Sequence, residues 1–266
     1  MMKNDFTVII PARMQSARLT GKMLLDIHGV PLIIRTVKQA LLSNASNVIV
    51  ATDDEAIETV CKKHDINVIL TDINHQNGTD RVVEAAVQLG LEDNEIVVNV
   101  QGDEPLINPQ LINNLATFIF NKGTPVATIA HIIDTENEIF NPSIVKVVLD
   151  AYNNALYFSR APIPYSRDGF IEELNFNLPN GINFLRHIGM YAYSVDFLKN
   201  YKQMLAPALE HVEKLEQLRI LYNGYKMAVM VSDIIPEGGV DTLEDLTRVR
   251  QYVANLEISG KGGSHD

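Results

Sequence analysis

A chain of 266 residues, 46% of them apolar, is long enough to bury a full core as one large α/β domain or a main lobe with a smaller one. Its net charge of −11 argues against a nucleic-acid polymer as partner, because phosphate backbones are held by basic surfaces; small anions stay open wherever the few cations gather. The single cysteine, Cys61, excludes a disulfide framework and a Cys-rich zinc site, and no apolar stretch reaches the ~20 residues of a membrane span.

With no signal-peptide pattern before Phe6, a cytoplasmic protein is expected. Residues 7–10 form the first aliphatic run, read as a strand buried on both faces, and the segment 11–22 follows it directly. That segment opens with Pro11 and Ala12 and carries three cations, Arg13, Arg18 and Lys22. A triphosphate needs several converging donors, and arginine can grip phosphate oxygens with two parallel bonds. The segment is neither a Walker A loop nor a dinucleotide glycine fingerprint: Ser16 stands where the first glycine belongs, and Met23 follows the lysine.

Helical spacing over 32–42, a strand at 48–51, a helix over 55–64 and a strand at 67–70 continue the alternation. Asp53 and Asp54 read as caps of the helix that follows them. The loop 76–81 opens a helix over 81–88, with Thr79 or Asp80 as its cap. Arg81 opposes the dipole of that helix unless an anion docks beside it. A strand at 96–100 then runs into Gln101, Gly102, Asp103, Glu104 and Pro105. A turn explains these residue types, and so does a Mg²⁺ site, since that hard cation takes one or two carboxylates together with substrate phosphates. Alternation of this kind implies an α/β fold with a mostly parallel sheet, whose ligands collect in the loops after the strands.

The pattern changes near residue 140. Runs at 145–149 and 155–159 flank 150–154 as a β-hairpin, prolines break the chain at 161–164, and 170–183 reads as a loop. Strands are expected at 189–193 and 227–231, a helix over 211–222, a closing helix over 242–256, and a disordered tail at 259–266. Arg160 and Arg167 flank the proline stretch, and His187 lies in a strand. Glu216 falls on a side of its helix that otherwise faces the core, where Arg219 is the partner its spacing suggests. Cys61 has no evident base and no catalytic role. Asp241 reads from spacing alone as a helix cap, in a box with Glu244, with Thr242 as an alternative.

In order along the chain stand PARMQSARLTGK at 11–22, HQNGTDR at 75–81, NVQGDEP at 99–105, FNPSIVKVVLD at 140–150, ALYFSRAPIPY at 155–165, FLRHIGMYAY at 184–193, LEQLR at 215–219 and GVDT at 239–242. Together they resemble the CMP-KDO synthetase family, the 3-deoxy-manno-octulosonate cytidylyltransferases, over residues 8–253. The resemblance implies a nucleotide-diphospho-sugar transferase-like α/β sandwich with a smaller, hairpin-containing lobe for sugar binding and dimerisation. A single domain over 1–258 would comprise a nucleotide core (about 1–140 and 225–258) and that lobe (about 141–224). It implies CTP and KDO as substrates, Mg²⁺ as cofactor, a homodimer, and a place in lipopolysaccharide biosynthesis in a Gram-negative cytoplasm.

Carried over residue by residue, Pro11, Ala12, Arg13, Arg18, Lys22, Asn77, Gly78, Arg81 and Gln101 hold the nucleotide. Asp103 and Asp241 match the metal ligands, reversing the cap reading of Asp241, and with Lys22 form the catalytic set. Gln101, Arg160, Arg167, His187, Tyr191, Glu216 and Gln217 match the sugar pocket. The family carries proline where Thr20 stands and serine where Asn77 stands, departures that touch loop rigidity and base contacts but no charge. The alternatives are a cytidylyltransferase for another acidic sugar (amino-KDO or sialic acid) and a non-catalytic nucleotide-sugar binder.

Overall fold

The aliphatic runs become strands because their branched side chains fit a pleated surface covered on both faces. In the computed structural model, which describes residues 5–261 except 17, 76, 168 and 171–181, with only the backbone over 257–261, β1 (Phe6–Ala12) is buried along its whole length. A short 3₁₀ turn, Lys22–Leu24, and the two-residue strands β2 (Asp26–Ile27) and β3 (Val30–Pro31) lead into α1 (Leu32–Ala40). Then follow β4 (Asn47–Thr52), α2 (Glu55–Lys63), β5 (Val68–Leu70), α3 (Gly78–Gln88) and β6 (Ile96–Asn99). α4 (Pro109–Lys122), β7 (Val126–Ile132) and α5 (Glu136–Phe140) fill a stretch for which the sequence pattern predicts no element. The hairpin is β8 (Lys146–Leu149) and β9 (Ala155–Ser159), followed by β10 (Leu185–Ser194), α6 (Val195–Tyr201), α7 (Ala208–Glu213), α8 (Gln217–Tyr222), β11 (Met227–Val231) and α9 (Leu243–Lys261).

The main sheet runs β11-β7-β10-β6-β1-β4-β5, with the hairpin attached through β8 to the outer part of β10. All neighbours along this path are parallel except β10, which is antiparallel to both β6 and β7. Strand parity divides the interior in two. Val8 and Ile10 face α1, α2, α4 and α9, whereas Ile9 faces α3, α6 and α8. α4 shows how such a helix is set: Asn108 accepts from Gln110 N–H at 2.8 Å, Pro109 starts it, and Gly123 ends it in a left-handed conformation. Its buried stripe includes Leu111, Leu115 and Ile119, and Leu111→Ala would cost about 2–5 kcal/mol.

Several expectations shift. α3 starts at Gly78 rather than residue 81, capped by Asn77, whose side-chain Oδ1 accepts from Asp80 N–H at 2.8 Å; Thr79 and Asp80 do not cap it. The helix expected over 211–222 is two, α7 and α8, because Lys214 takes a left-handed φ of 55° between them. The tail expected at 259–266 begins as the end of α9, and 262–266 lie outside the described residues, as does most of the loop expected at 170–183. β10 holds a bulge: Ile188 pairs with Ile129 and Tyr191 with the next residue, Thr128, so two residues of β10 are in excess. The hairpin forms as expected, with Asp150 Oδ1 accepting from Tyr152 N–H at 2.8 Å and Asn154 N–H at 2.7 Å.

Candidate active site

Two adjoining clefts open over the loops that follow the parallel strands. The first is bounded by the loop after β1, the loop before α3, the turn after β6 and the approach to α9. Gly21, at φ 70°, turns the first loop and donates to the Met14 carbonyl at 3.1 Å, which brings Lys22 back under the sheet's edge. A side chain at Gly102 would meet the Pro11 carbonyl at 2.9 Å, so glycine alone lets the turn after β6 press against the end of β1.

At the centre of this cleft lies Lys22, whose ammonium donates to Asp103 Oδ2 at 2.5 Å, Asp241 Oδ1 at 2.9 Å and the Val240 carbonyl at 3.1 Å. Val240 N–H in turn donates to the Asp103 carbonyl at 2.9 Å, which fastens the approach to α9 beside the turn after β6. Burial alone would lower the Lys22 pKa; the charge and hydrogen bond of Asp103, then Asp241, outweigh it and raise the pKa above its ordinary value of 10.5. Lys22 is therefore a permanent cation. Arg18 reaches the other oxygen of Asp241 at 2.7 Å, and Arg13 has no ion-pair partner among the described residues.

Asp241 is not a cap. Thr242 and Asp245 form the box that starts α9: Asp245 Oδ2 accepts from Thr242 N–H at 2.9 Å, and Thr242 Oγ1 accepts from Asp245 N–H at 3.2 Å. That leaves the Asp241 carboxylate to the cleft. Two converging carboxylates are a hard oxygen set of the kind Mg²⁺ takes with phosphates, although no group of three or more His, Cys, Asp or Glu forms a metal cluster among the described residues. Glu104, beside Asp103, faces away into a neighbouring groove, and its carboxyl is pushed up to about 7 by burial and then by Asp103 and Asp241.

Arg81 lines the same cleft but is buried, and its guanidinium donates to Asp53 at 2.8 Å and to Thr71. The anion expected at the start of α3 is thus the chain's own Asp53. Only Asp54 caps α2, accepting from Ala56 and Ile57 N–H at 2.9 and 3.2 Å. Pro11, Ala12, Asn77, Gly78 and Gln101 complete the wall, as does His75, which spacing did not single out.

Arg13, Asn77, Gly78 and Gln101 also border the second cleft, whose far wall carries His187, Tyr191, Glu216 and Gln217. Gln101 bridges the two by donating to the Gly189 carbonyl, released by the bulge in β10, at 3.3 Å. The same bulge brings the rings of His187 and Tyr191 to 5.4 Å. Thr128 donates to the Met190 carbonyl at 2.9 Å, so its oxygen is left to accept from His187 Nε2 at 2.9 Å. Burial pushes the His187 pKa down to about 3, and burial again raises the Tyr191 hydroxyl well above its usual range. Burial pushes Glu216 up to about 7. Its expected partner is engaged elsewhere: Arg219 holds Glu210 through two bonds of 2.8 and 2.6 Å.

Two arginines stand apart. Arg160 donates to the Glu213 carbonyl at 2.7 Å and the Pro142 carbonyl at 2.9 Å, and borders neither cleft. The buried Lys146 clasps the same segment, donating to the carbonyls of Asn141, Ile144 and Arg160. Arg167 is exposed and likewise borders neither cleft.

The profile of the Cytidylyltransferase family matches residues 7–230. The 3-deoxy-manno-octulosonate cytidylyltransferase of Neisseria meningitidis serogroup B is 50% identical over 246 residues, 92% of this chain and 97% of the relative. That of Herminiimonas arsenicoxydans is 51% identical over 248 residues, 93% and 98% of the two chains. Among solved structures, a CMP:2-keto-3-deoxy-manno-octonic acid synthetase complexed with CTP superposes with a TM-score of 0.85 at 38% identity, covering 95% of this chain and 99% of that one.

Proposed function

Because this chain belongs to the cytidylyltransferase family, we propose that it transfers CMP from CTP to the anomeric hydroxyl of 3-deoxy-manno-octulosonate, releasing pyrophosphate. The observation that carries the reading is the buried Lys22 ammonium between Asp103 and Asp241, at the foot of a loop with two further cations and next to a second cleft. The hydroxyl oxygen attacks the α-phosphorus and forms a new O–P bond, the bond from the α-phosphorus to the oxygen bridging to the β-phosphate breaks, and the hydroxyl proton passes to solvent or to the departing pyrophosphate. Such displacement is mostly positioning and stabilisation of charge. Lys22, held ionised, and the exposed Arg13 and Arg18 receive the negative charge that pyrophosphate carries away. Lys22 does not act as a base, because its pKa lies above 10.5.

Asp103 and Asp241 fit Mg²⁺, which when bound supplies charge neutralisation on the phosphates. His187, neutral, Tyr191 and Gln217 offer uncharged donors and acceptors to the hydroxyls of the sugar. Arg160 and Arg167 belong to the sugar site only if that lobe, 141–224, rearranges when the acid binds. The exposed Tyr152 and Leu156 of the hairpin supply apolar area for a homodimer, which sedimentation at graded concentrations tests. A cytoplasmic place in lipopolysaccharide synthesis follows from the same reading.

The deciding experiment measures pyrophosphate release from each of the four NTPs, with and without KDO and with and without Mg²⁺. Release is expected only with CTP, KDO and Mg²⁺ together. Release that ignores the sugar overturns the proposal.

A further inference from the structure

The chemistry above leaves His75 without a task. It stands in the loop after β5, borders the first cleft, and its side chain is only 10% exposed. Its Nε2 is bound to Glu84. The same Glu84 oxygen accepts from Asp72 N–H at 3.0 Å, and the other accepts from Gln88 Nε2 at 2.8 Å. Burial would raise the Glu84 pKa; the bonds from Asp72 N–H, His75 and Gln88 outweigh it and hold the group below its usual range. An ionised carboxylate only accepts, so the ring proton sits on Nε2. In the neutral ring Nδ1 then offers a bare lone pair, and no described residue donates to it.

The place of His75 along the cleft follows from the sheet. Asp103 comes after β6 and His75 after β5, three strand steps apart in the order β6-β1-β4-β5. At ~4.8 Å per step that is about 14 Å. Arg18, Lys22, Asp103 and Asp241 hold the phosphate end, which leaves the nucleoside to the β5 side.

On the reading of CTP as substrate, we infer that His75 discriminates the nucleobase: its Nδ1 accepts a hydrogen bond from the exocyclic amino group of cytosine, while Glu84 acts as a positioning residue that fixes the tautomer. Uracil carries a carbonyl oxygen at that place. Oxygen lone pairs facing a nitrogen lone pair repel, so the arrangement favours one pyrimidine and disfavours the other.

The test compares kcat/KM for CTP and UTP, and calorimetric binding of each nucleotide without sugar, in the wild type, His75→Phe and Glu84→Gln. In His75→Phe the preference for CTP over UTP should fall about tenfold, through loss with CTP and not with UTP. In Glu84→Gln the new amide can donate to Nε2 and push the ring proton to Nδ1, so UTP should gain relative to CTP. That gain is not expected of a residue that merely supports the loop. An unchanged ratio, or equal losses with both nucleotides, overturns the inference. Should His75→Phe fail to fold, the near-isosteric Glu84→Gln carries the test alone. Absence of product from the wild type would instead refute the proposed function, and the binding ratios would still judge His75.

Discussion

The two clefts share a wall at Gln101 yet treat charge in opposite ways. In the first, ionised groups are held against one another: Lys22 against Asp103 and Asp241, Arg18 against Asp241, Arg81 against Asp53. In the second, Arg13, Glu210 and Lys214 stand in the wall, but burial strips charge from the other groups: His187 is neutral, the Tyr191 hydroxyl stays protonated, and Glu216 titrates only near 7. A triphosphate arrives and leaves with several negative charges, so its cleft needs permanent charges already oriented. A polyhydroxylated sugar is recognised by pairing its hydroxyls, and neutral groups do this without the large desolvation cost of ions.

The largest expected effect tests the charged cleft. Asp103→Asn keeps shape and removes charge, and should lower CMP transfer by about a thousandfold or more with an unchanged circular dichroism spectrum. Near-normal turnover would remove Asp103 from the chemistry. Lys22→Met should lower kcat about a hundredfold, and should also melt earlier than wild type at pH 8, since Asp103 and Asp241 lose their shared partner. A raised lysine pKa gives stability that is complete below 10.5 and is lost as pH climbs through the folded value, so the gap between the two melting curves should close in strong alkali.

The second cleft is tested by Glu216→Gln. A carboxyl raised from 4.5 to about 7 binds its proton more tightly in the folded chain, so it costs stability as pH rises through that window. The variant should melt a few degrees above wild type at pH 8 and coincide with it at pH 4. A melting point that moves equally at both pH values would show that Glu216 is not held by burial. Smallest is Thr242→Ala, which should cost about 1 kcal/mol in urea unfolding and leave kcat in place, because the cap and the carboxylate are separate residues.

The strands were legible because two-sided burial demands uninterrupted aliphatic runs, as at Phe6–Ala12. α4 is marked in the sequence by Asn108-Pro109 at its start and Gly123 at its end, signals that fix a helix but say nothing of a site. The break at Lys214 was not legible, since a lysine with positive φ leaves no mark on helical periodicity. The site divides the same way. The cations after β1 announce themselves by position, whereas Lys22 meets its carboxylates 81 and 219 residues away, and spacing cannot report such distances. Local rules even mislead, since cap preferences point to both Asp53 and Asp241. Each instead makes an ion pair across the fold, with Arg81 and with Lys22 and Arg18. Arg219 also fits a local partner by spacing, and Glu210 in the preceding helix claims it with better geometry.

The irregular stretch of β10 sets a rule for length changes. Its excess is two residues, an even number, so the inward and outward alternation on either side stays in phase. Loss of one residue between 188 and 190 would turn either the Leu185–His187 flank or the Tyr191–Tyr193 flank inside out, and folding would fail. Loss of two would leave a regular strand in phase on both flanks, with His187 and Tyr191 still opposite Ala130 and Thr128, but it would remove Gly189 or Met190, and with it the carbonyl that accepts from Gln101 or the one that accepts from Thr128. Odd deletions at this point therefore invert a flank of the strand, whereas even ones keep its phase and fall on the hydrogen bonds that shape the wall of the second cleft.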